Sequence, residues 1–412
     1  MRIAILTNEY PPNVYGGAGV HVEYLAKELV RADQGRHSVK VLCFGAQHVR
    51  KPRLSVQGVG YRHKIIGKHP GQAILFDTFI KDIVMAGELK GVDIIHCHTW
   101  YSHLAGLLAK QLLGVPLVLT THSLEPHRPW KAEQLGSGYR ASSWIEATAY
   151  KNSDGVIAVS SAMKQDVHAL YGVPRGKISV IHNGIDIAQY KFTADKSILA
   201  KYNIAADRPF ILFVGRITRQ KGIIHLVNAV KYIRPGCQVV LCAGAPDTPQ
   251  IAKEMAGRVA QARKDSKNRI VWIPEILPKA ELIPLYSQAF VFVCPSVYEP
   301  FGIINLEAMA CRTPVVAAAV GGIPEVVVPG KTGLLVRFKP KGAQDAEPAD
   351  PEKFARDLAA AVNSLLAAPQ KVQAMRVASR RRAEQHFSWS AIASQTIDFY
   401  KETRAIYDKI RL

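Results

Sequence analysis

Long apolar runs are missing from this 412-residue chain: none approaches the ~20 residues that a membrane-spanning helix needs. Met1-Arg-Ile-Ala-Ile-Leu-Thr7 is too short for a signal-peptide core and leads straight into polar residues, so it reads as a first strand. Cysteine is scarce. The six, at 43, 97, 237, 242, 294 and 311, lie in apolar contexts and make neither a disulfide ladder nor paired zinc spacings, which fits a reducing cytoplasm. No Asp-x-Asp pair, nucleic-acid motif or repeat of solenoid length occurs. The G-x-G-x-x-G spacing of a dinucleotide fingerprint is also absent, which argues against hydride transfer. Acidic side chains are few. Against 53 Lys and Arg stand 33 Asp and Glu, a net charge of +20, which favours an anionic partner: a nucleotide sugar, a phosphorylated acceptor, a lipid surface or nucleic acid.

What is present is a succession of short apolar runs alternating with amphipathic stretches, the pattern of an α/β protein. The length suits two domains. Strands are expected at Arg2 to Leu6, Val39 to Phe44, Gly60 to Ile66, up to His98, Pro116 to Thr121, Gly155 to Ser160 and Ile178 to Ile181. A second series runs through Phe210 to Val214, Val239 to Ala243, Ile270 to Ile273, Phe290 to Val293, Pro314 to Ala318 and Gly333 to Val336. The polar stretch between Tyr190 and Arg208 places the boundary near residue 200, giving domains 1–200 and 201–388. Lys339 to Pro351 reads as a polar loop, and Arg380-Arg-Arg382 as a solvated helix face. A last helix, 389–412, sets Trp389, Ile392, Phe399 and Tyr400 on one side.

The most informative stretch is Glu299-Pro-Phe-Gly-Ile-Ile-Asn-Leu-Glu307. A buried strand precedes it, and Gly302 opens a helix whose free N–H groups and positive dipole end suit a phosphate. Phe301, Gly302, Ile303 and Ile304 form that junction, and Glu299 and Glu307 bracket it. Arg216 and Lys221 follow the strand at Phe210 and open another helix. Cations are disfavoured at that end of the dipole, so their placement calls for an anion. In the first half, Gly16 and Gly17 make a strand-to-helix turn, and His122 sits at a strand's carboxyl end, where ligands of open parallel sheets bind. His96 and His98 share one strand face, which invites a metal, but four ligands cannot be assembled; hydrogen-bonding histidines near a strand end is the reading. Arg128, Lys131, Tyr139 and Arg140 mix cations and aromatics in a loop suited to sugars and phosphates.

Gly16-Gly17, His122, Asn183, Arg216 with Lys221, and Glu299 with Glu307 together resemble the retaining GT-B glycosyltransferases over nearly the whole chain. Tyr10-Pro-Pro, His98-Thr-Trp-Tyr101 and the segment from His122 to Tyr139 are similar to short glycogen synthases of the actinobacterial type, the group that includes α-maltose-1-phosphate synthases. That resemblance implies two doubly wound Rossmann-like domains facing a cleft, the last helix crossing back to the first domain. It implies metal-free transfer of glucose from a nucleotide sugar, ADP-glucose, with no other cofactor, to an α-glucan end or to glucose 1-phosphate. His122 and Glu299 would then act on the donor sugar and Glu307 on the ribose. Gly16, Gly17, Asn183, Arg216, Lys221 and residues 301–304 would hold the rest of the donor. Thr99 and Trp100, with the Arg128–Arg140 segment, would face the acceptor. Thr99 stands where long glycogen synthases carry aspartate, which counts against plain polymer elongation. Two alternatives stay open: a membrane-surface transferase acting on a lipid, and a sugar-nucleotide epimerase on the same fold. Neither ADP over UDP, nor the acceptor, nor assembly into a homo-oligomer is fixed by the sequence.

Overall fold

A computed structural model describes residues 1–14, 16–60, 70–128, 130–342 and 345–411. Contacts divide it into two units, residues 1–184 with 389–412, and residues 185–388.

Eight strands make the sheet of the first unit: β1 (Arg2–Leu6), β2 (Ser38–Phe44), β3 (His48–Lys51), β4 (Leu54–Val59), β5 (Ile94–His98), β6 (Leu117–Thr121), β7 (Gly155–Ala158) and β8 (Ile178–Val180). Their order is β3-β4-β2-β1-β5-β6-β7-β8, parallel except for the β3–β4 hairpin. Strands buried on both faces carry near-continuous apolar sequences, and β5 and β6 are buried at every residue. The core joins Ile3, Ile5, Val39 and Val41 to Leu25 and Leu29 of helix Gly17–Arg31, and to Trp389, Ile392, Ile397 and Tyr400 of helix Trp389–Arg411. The hairpin and helix Pro70–Gly87 had no clear periodic signal in the sequence. The strand expected at Gly60 to Ile66 lies, from 61 on, outside the described residues.

The second unit holds β9 (Phe210–Arg216), β10 (Gln238–Gly244), β11 (Arg269–Ile273), β12 (Val291–Cys294), β13 (Val315–Ala318) and β14 (Gly333–Val336). All are parallel, in the order β11-β10-β9-β12-β13-β14. This is a doubly wound sheet whose strand order reverses beside β9, where ligands of such sheets bind. Ile211, Phe213 and Leu241 meet Ile223, Leu226, Phe354 and Leu358 in its core.

The boundary falls at Gly184–Ile185, ahead of the polar stretch. The amide of Ile185 donates to Phe387 O (2.8 Å) and that of Thr193 to Ser287 Oγ (3.1 Å), fastening this segment to the second unit. Two other expectations are corrected. The polar loop after Lys339 contains a small antiparallel hairpin, β15 (Pro340–Gly342) with β16 (Asp345–Pro348). Arg380 and Arg382 are not a solvated face: Arg380 donates to Tyr190 O (2.7 Å) and Ala310 O (2.9 Å), and Arg382 to Val326 O (2.8 Å) and Glu325 O (2.6 Å). Guanidinium groups there satisfy carbonyls that helix ends leave unpaired. No helix among the described residues is long and apolar enough to cross a membrane.

Candidate functional site

In the second unit the segment after β12 is fixed by backbone before any side chain acts. The amide of Val297 donates to Gln220 O (3.0 Å) and that of Gly322 to Glu299 O (3.0 Å). Gly321 (φ +51°) lies so close that a Cβ there would meet Glu299 O at 2.0 Å. Gly302 caps helix Ile303–Ala310 at φ 96°, a left-handed conformation that favours glycine, and no side chain caps the helix. The first amides of that helix therefore have no helical partner.

On this frame Lys221 Nζ stands 2.7 Å from Glu299 Oε2, and Ser296 Oγ donates to the same oxygen at 3.2 Å. Arg216 pairs with Asp247 at 2.5 Å. Each of these two cations thus already faces a carboxylate of the chain itself. Asp247 had no sequence signal; it follows β10, beside Arg216 only through the β9–β10 register. Glu307 receives Tyr190 OH on Oε1 (2.8 Å) and Tyr286 OH on Oε2 (3.0 Å). Burial pushes its carboxyl above the usual range, and those two hydroxyls oppose the rise. Phe301 does not present its ring to a ligand. It is 1% exposed and packs on Phe387 at 5.9 Å, so the motif's phenylalanine is core.

In the first unit the parallel register of β5 and β6 sets His98 beside Thr120, and four histidines gather at their carboxyl ends. His96 bonds Tyr400 OH (2.5 Å) and Thr120 Oγ1 (2.6 Å). His21 bonds Asn183 Oδ1 (2.6 Å), and His98 Nδ1 meets His122 Nε2 at 2.9 Å. Trp389 covers His21 edge-on at 5.2 Å. Burial holds His21 down at about 4, and keeps His96, His98 and His122 well below the usual imidazole range. All four rings are neutral near pH 7. Nitrogens of His21, His98 and His122 lie within 4.8 Å of one another, a wider spread than the ~3.3 Å that tetrahedral bonds of ~2.0–2.1 Å impose.

Gly16 and Gly17 begin a helix as expected, and the Gly16 amide donates to Glu9 Oε2 (2.8 Å), a carboxylate that no sequence motif marks. Thr99 adopts φ 66°, ψ 158°, a conformation rare for a β-branched residue, and its hydroxyl bonds Asn8 Oδ1 (3.0 Å). Strain of this kind collects at functional sites. Trp100, by contrast, is 3% exposed among Leu75, Leu135 and Ile145, so it is core and no acceptor platform.

The Arg128–Arg140 segment is largely helical rather than a loop, with helices at Lys131–Leu135 and from Gly138. Two buried carboxyls underlie it. Glu125 accepts from Ser142 Oγ (3.0 Å) and lies 3.7 Å from Arg128, while Glu146 accepts from the Glu125 amide (2.8 Å) and from Tyr171 OH. Tyr139 OH donates to Glu125 O (2.6 Å), Lys131 is buried, and Arg140 is exposed. The charge of Arg128 is therefore already engaged, which a count of basic residues could not show.

Burial lifts the Glu146 carboxyl from 4.5 to about 8, and the neighbouring Glu125 adds to the rise. Between those values the folded chain keeps a proton that the unfolded chain has released, so stability falls as pH rises and the full penalty is reached above about 8. Glu146→Gln removes that linkage. The thermal midpoint of the parent is expected to drop several degrees more than the variant's between mildly acidic and alkaline buffer, at about 2–4 °C per kcal/mol. Equal slopes in the two melting series would contradict this account.

Two doubly wound units of this kind are the architecture of GT-B glycosyltransferases, and the comparisons place the chain among them. The family described as Glycosyltransferase Family 4 matches residues 15–189 and Glycosyl transferases group 1 matches residues 195–382. The chain belongs to these glycosyltransferases. It is 46% identical to the α-maltose-1-phosphate synthase of Mycolicibacterium smegmatis, over 98% of this chain and all of that one. It is 29% identical to a glycogen synthase of Mycobacterium tuberculosis, over 97% and 94% of the two chains. Among solved structures, sucrose-phosphate synthase from Thermosynechococcus elongatus superposes with a TM-score of 0.78 at 27% identity, covering 98% and 99%.

Proposed function

We propose that the chain is a retaining α-1,4-glucosyltransferase that moves glucose from ADP-glucose to glucose 1-phosphate, forming α-maltose 1-phosphate, with an α-glucan end as the other acceptor. The near full-length likeness to α-maltose-1-phosphate synthase carries this reading. Neither the lipid-acceptor nor the epimerase alternative gains support from the comparisons.

Transfer breaks the bond between the anomeric carbon and the diphosphate and makes one to an acceptor hydroxyl. The first amides of helix Ile303–Ala310 and Lys221 would take up the charge of the departing diphosphate without a metal ion. Glu299, held by Lys221 and Ser296, would orient the sugar and stabilise positive charge near its anomeric carbon. With no second carboxylate assigned to the opposite sugar face, the departing phosphate oxygen would accept the acceptor's proton on the same face. His122 would bond the donor sugar, and Glu307, its two oxygens fixed by Tyr190 and Tyr286, would take the ribose hydroxyls.

Glu307→Gln tests the nucleotide side. An amide nitrogen cannot accept from a tyrosine, and the charge-assisted bonds to ribose are lost, so ADP affinity should fall at least tenfold, at ~1.5–3 kcal/mol. Titration calorimetry with ADP reads this directly, while turnover at saturating donor should stay near the parent's. Undiminished ADP affinity would remove Glu307 from the donor site.

A further inference from the structure

The bond between His98 and His122 can hold only one proton when both rings are neutral. Its direction decides what His122 offers on its other side. If His122 donates from Nε2, its Nδ1 is a bare acceptor and His98 is left with an N–H on Nε2. If His98 donates from Nδ1, then His122 carries its proton on Nδ1 and His98 has a bare Nε2. The two arrangements differ in what they bury. His98 is fully buried, and its Nε2 has no hydrogen-bond partner. A buried N–H without an acceptor is the rarer and more costly fault, whereas an unmet lone pair is better tolerated.

Neighbouring rings remove other ways out. His96 lies 4.1 Å from His98, centroid to centroid, but both its nitrogens are committed to Tyr400 and Thr120. His21, 5.3 Å from His98, gives its Nδ1 proton to Asn183 Oδ1, which cannot donate, so its buried Nε2 is also a bare lone pair. Neither ring can turn to serve His98. His122 itself is only half-buried, and its Nδ1 has no partner among the described residues.

We infer that His98 is a positioning residue that donates from Nδ1 to His122 Nε2 and so fixes His122 as the tautomer presenting an N–H donor at Nδ1. A donor at that atom suits a sugar hydroxyl or phosphate oxygen, the acceptors that a nucleotide sugar brings. Which nitrogen of a histidine carries the proton is set by the bond its other nitrogen makes, and here that bond comes from a histidine at the end of the neighbouring strand β5 rather than from a carboxylate. The consequence for turnover rests on the donor-sugar role proposed above for His122; the tautomer itself does not.

The experiment is nitrogen–proton correlation spectroscopy on the full chain carrying nitrogen-15 histidine, with His122 assigned by the signal missing in His122→Gln. The ligand-free parent should show His122 protonated on Nδ1. His98→Leu should turn that signal into a mixture of tautomers and lower kcat about tenfold with less change in donor KM, as expected for one lost hydrogen bond. His98→Asn, whose amide nitrogen falls near the place of Nδ1, should restore both the single tautomer and most of kcat. It also serves as the folded control if His98→Leu proves unstable. An Nε2-protonated His122 in the parent, or an unchanged tautomer in His98→Leu, overturns the inference. A tautomer that responds as stated while kcat stays at the parent value upholds the positioning role and refutes the donor-sugar role of His122.

Discussion

Lys221→Ala is expected to lower kcat/KM by about 10²–10³, the loss that follows removal of one preorganised charge-stabilising group. The ion pair makes the effect larger than a lost phosphate contact alone would be. Lys221 and Glu299 stand 2.7 Å apart with side chains 20% and 8% exposed, so deleting the cation leaves a carboxylate poorly solvated and without its counter-charge. Glu299→Gln should also lower turnover while keeping nucleotide affinity, because its partners are Lys221 and Ser296 and not the ribose side. The double variant is the sharper test. If the two act as one unit, Lys221→Ala/Glu299→Gln should be scarcely worse than the worse single change. Losses that simply add would mean that the cation and the carboxylate serve separate tasks, and parent-like rates in Lys221→Ala would end the assignment.

Arg128→Ala should separate the two acceptors. A phosphate dianion needs cations that a neutral glucan end does not, and a charge-assisted bond of ~1.5–3 kcal/mol corresponds to tenfold or more in KM for glucose 1-phosphate. Transfer to a maltooligosaccharide should change little. Because Arg128 lies 3.7 Å from buried Glu125, which neighbours Glu146, its loss should also lower stability. The exposed alternative, Arg140→Ala, carries no such burden and gives the cleaner comparison. Equal losses with both acceptors in Arg128→Ala would indicate misfolding of this segment. No loss with either, in both variants, would remove the phosphate site.

The parallel strands were readable because strands buried on both faces leave continuous apolar runs, as at Phe210-Ile-Leu-Phe-Val214. The Glu299–Glu307 stretch was readable for a related reason, since a strand end, a glycine and a helix start lie consecutively in the chain. Partners brought together by register were not. Asp247 beside Arg216, Tyr190 and Tyr286 on Glu307, and Glu9 on the Gly16 amide are each separated from their partners by several residues to over a hundred, and no local pattern announces them. Aromatic and basic residues misled in the same way. Trp100 and Phe301 look like ligand platforms by type, but their burial makes them core.

The last helix has a consequence for how the chain is made. Trp389 lies against Gly184 so closely that a Cβ on the glycine would meet the indole at 2.5 Å, and Tyr400 bonds His96. The histidine group thus needs residues from both segments of the first unit, 1–184 and 389–412, whereas the intervening residues 185–388 hold their own sheet and core. On the ribosome the middle of the chain can close before the beginning can. The first segment of the first unit must wait, with part of its apolar surface unmet, until the helix Trp389–Arg411 has been made, and this interval is when it is most open to aggregation or to chaperones.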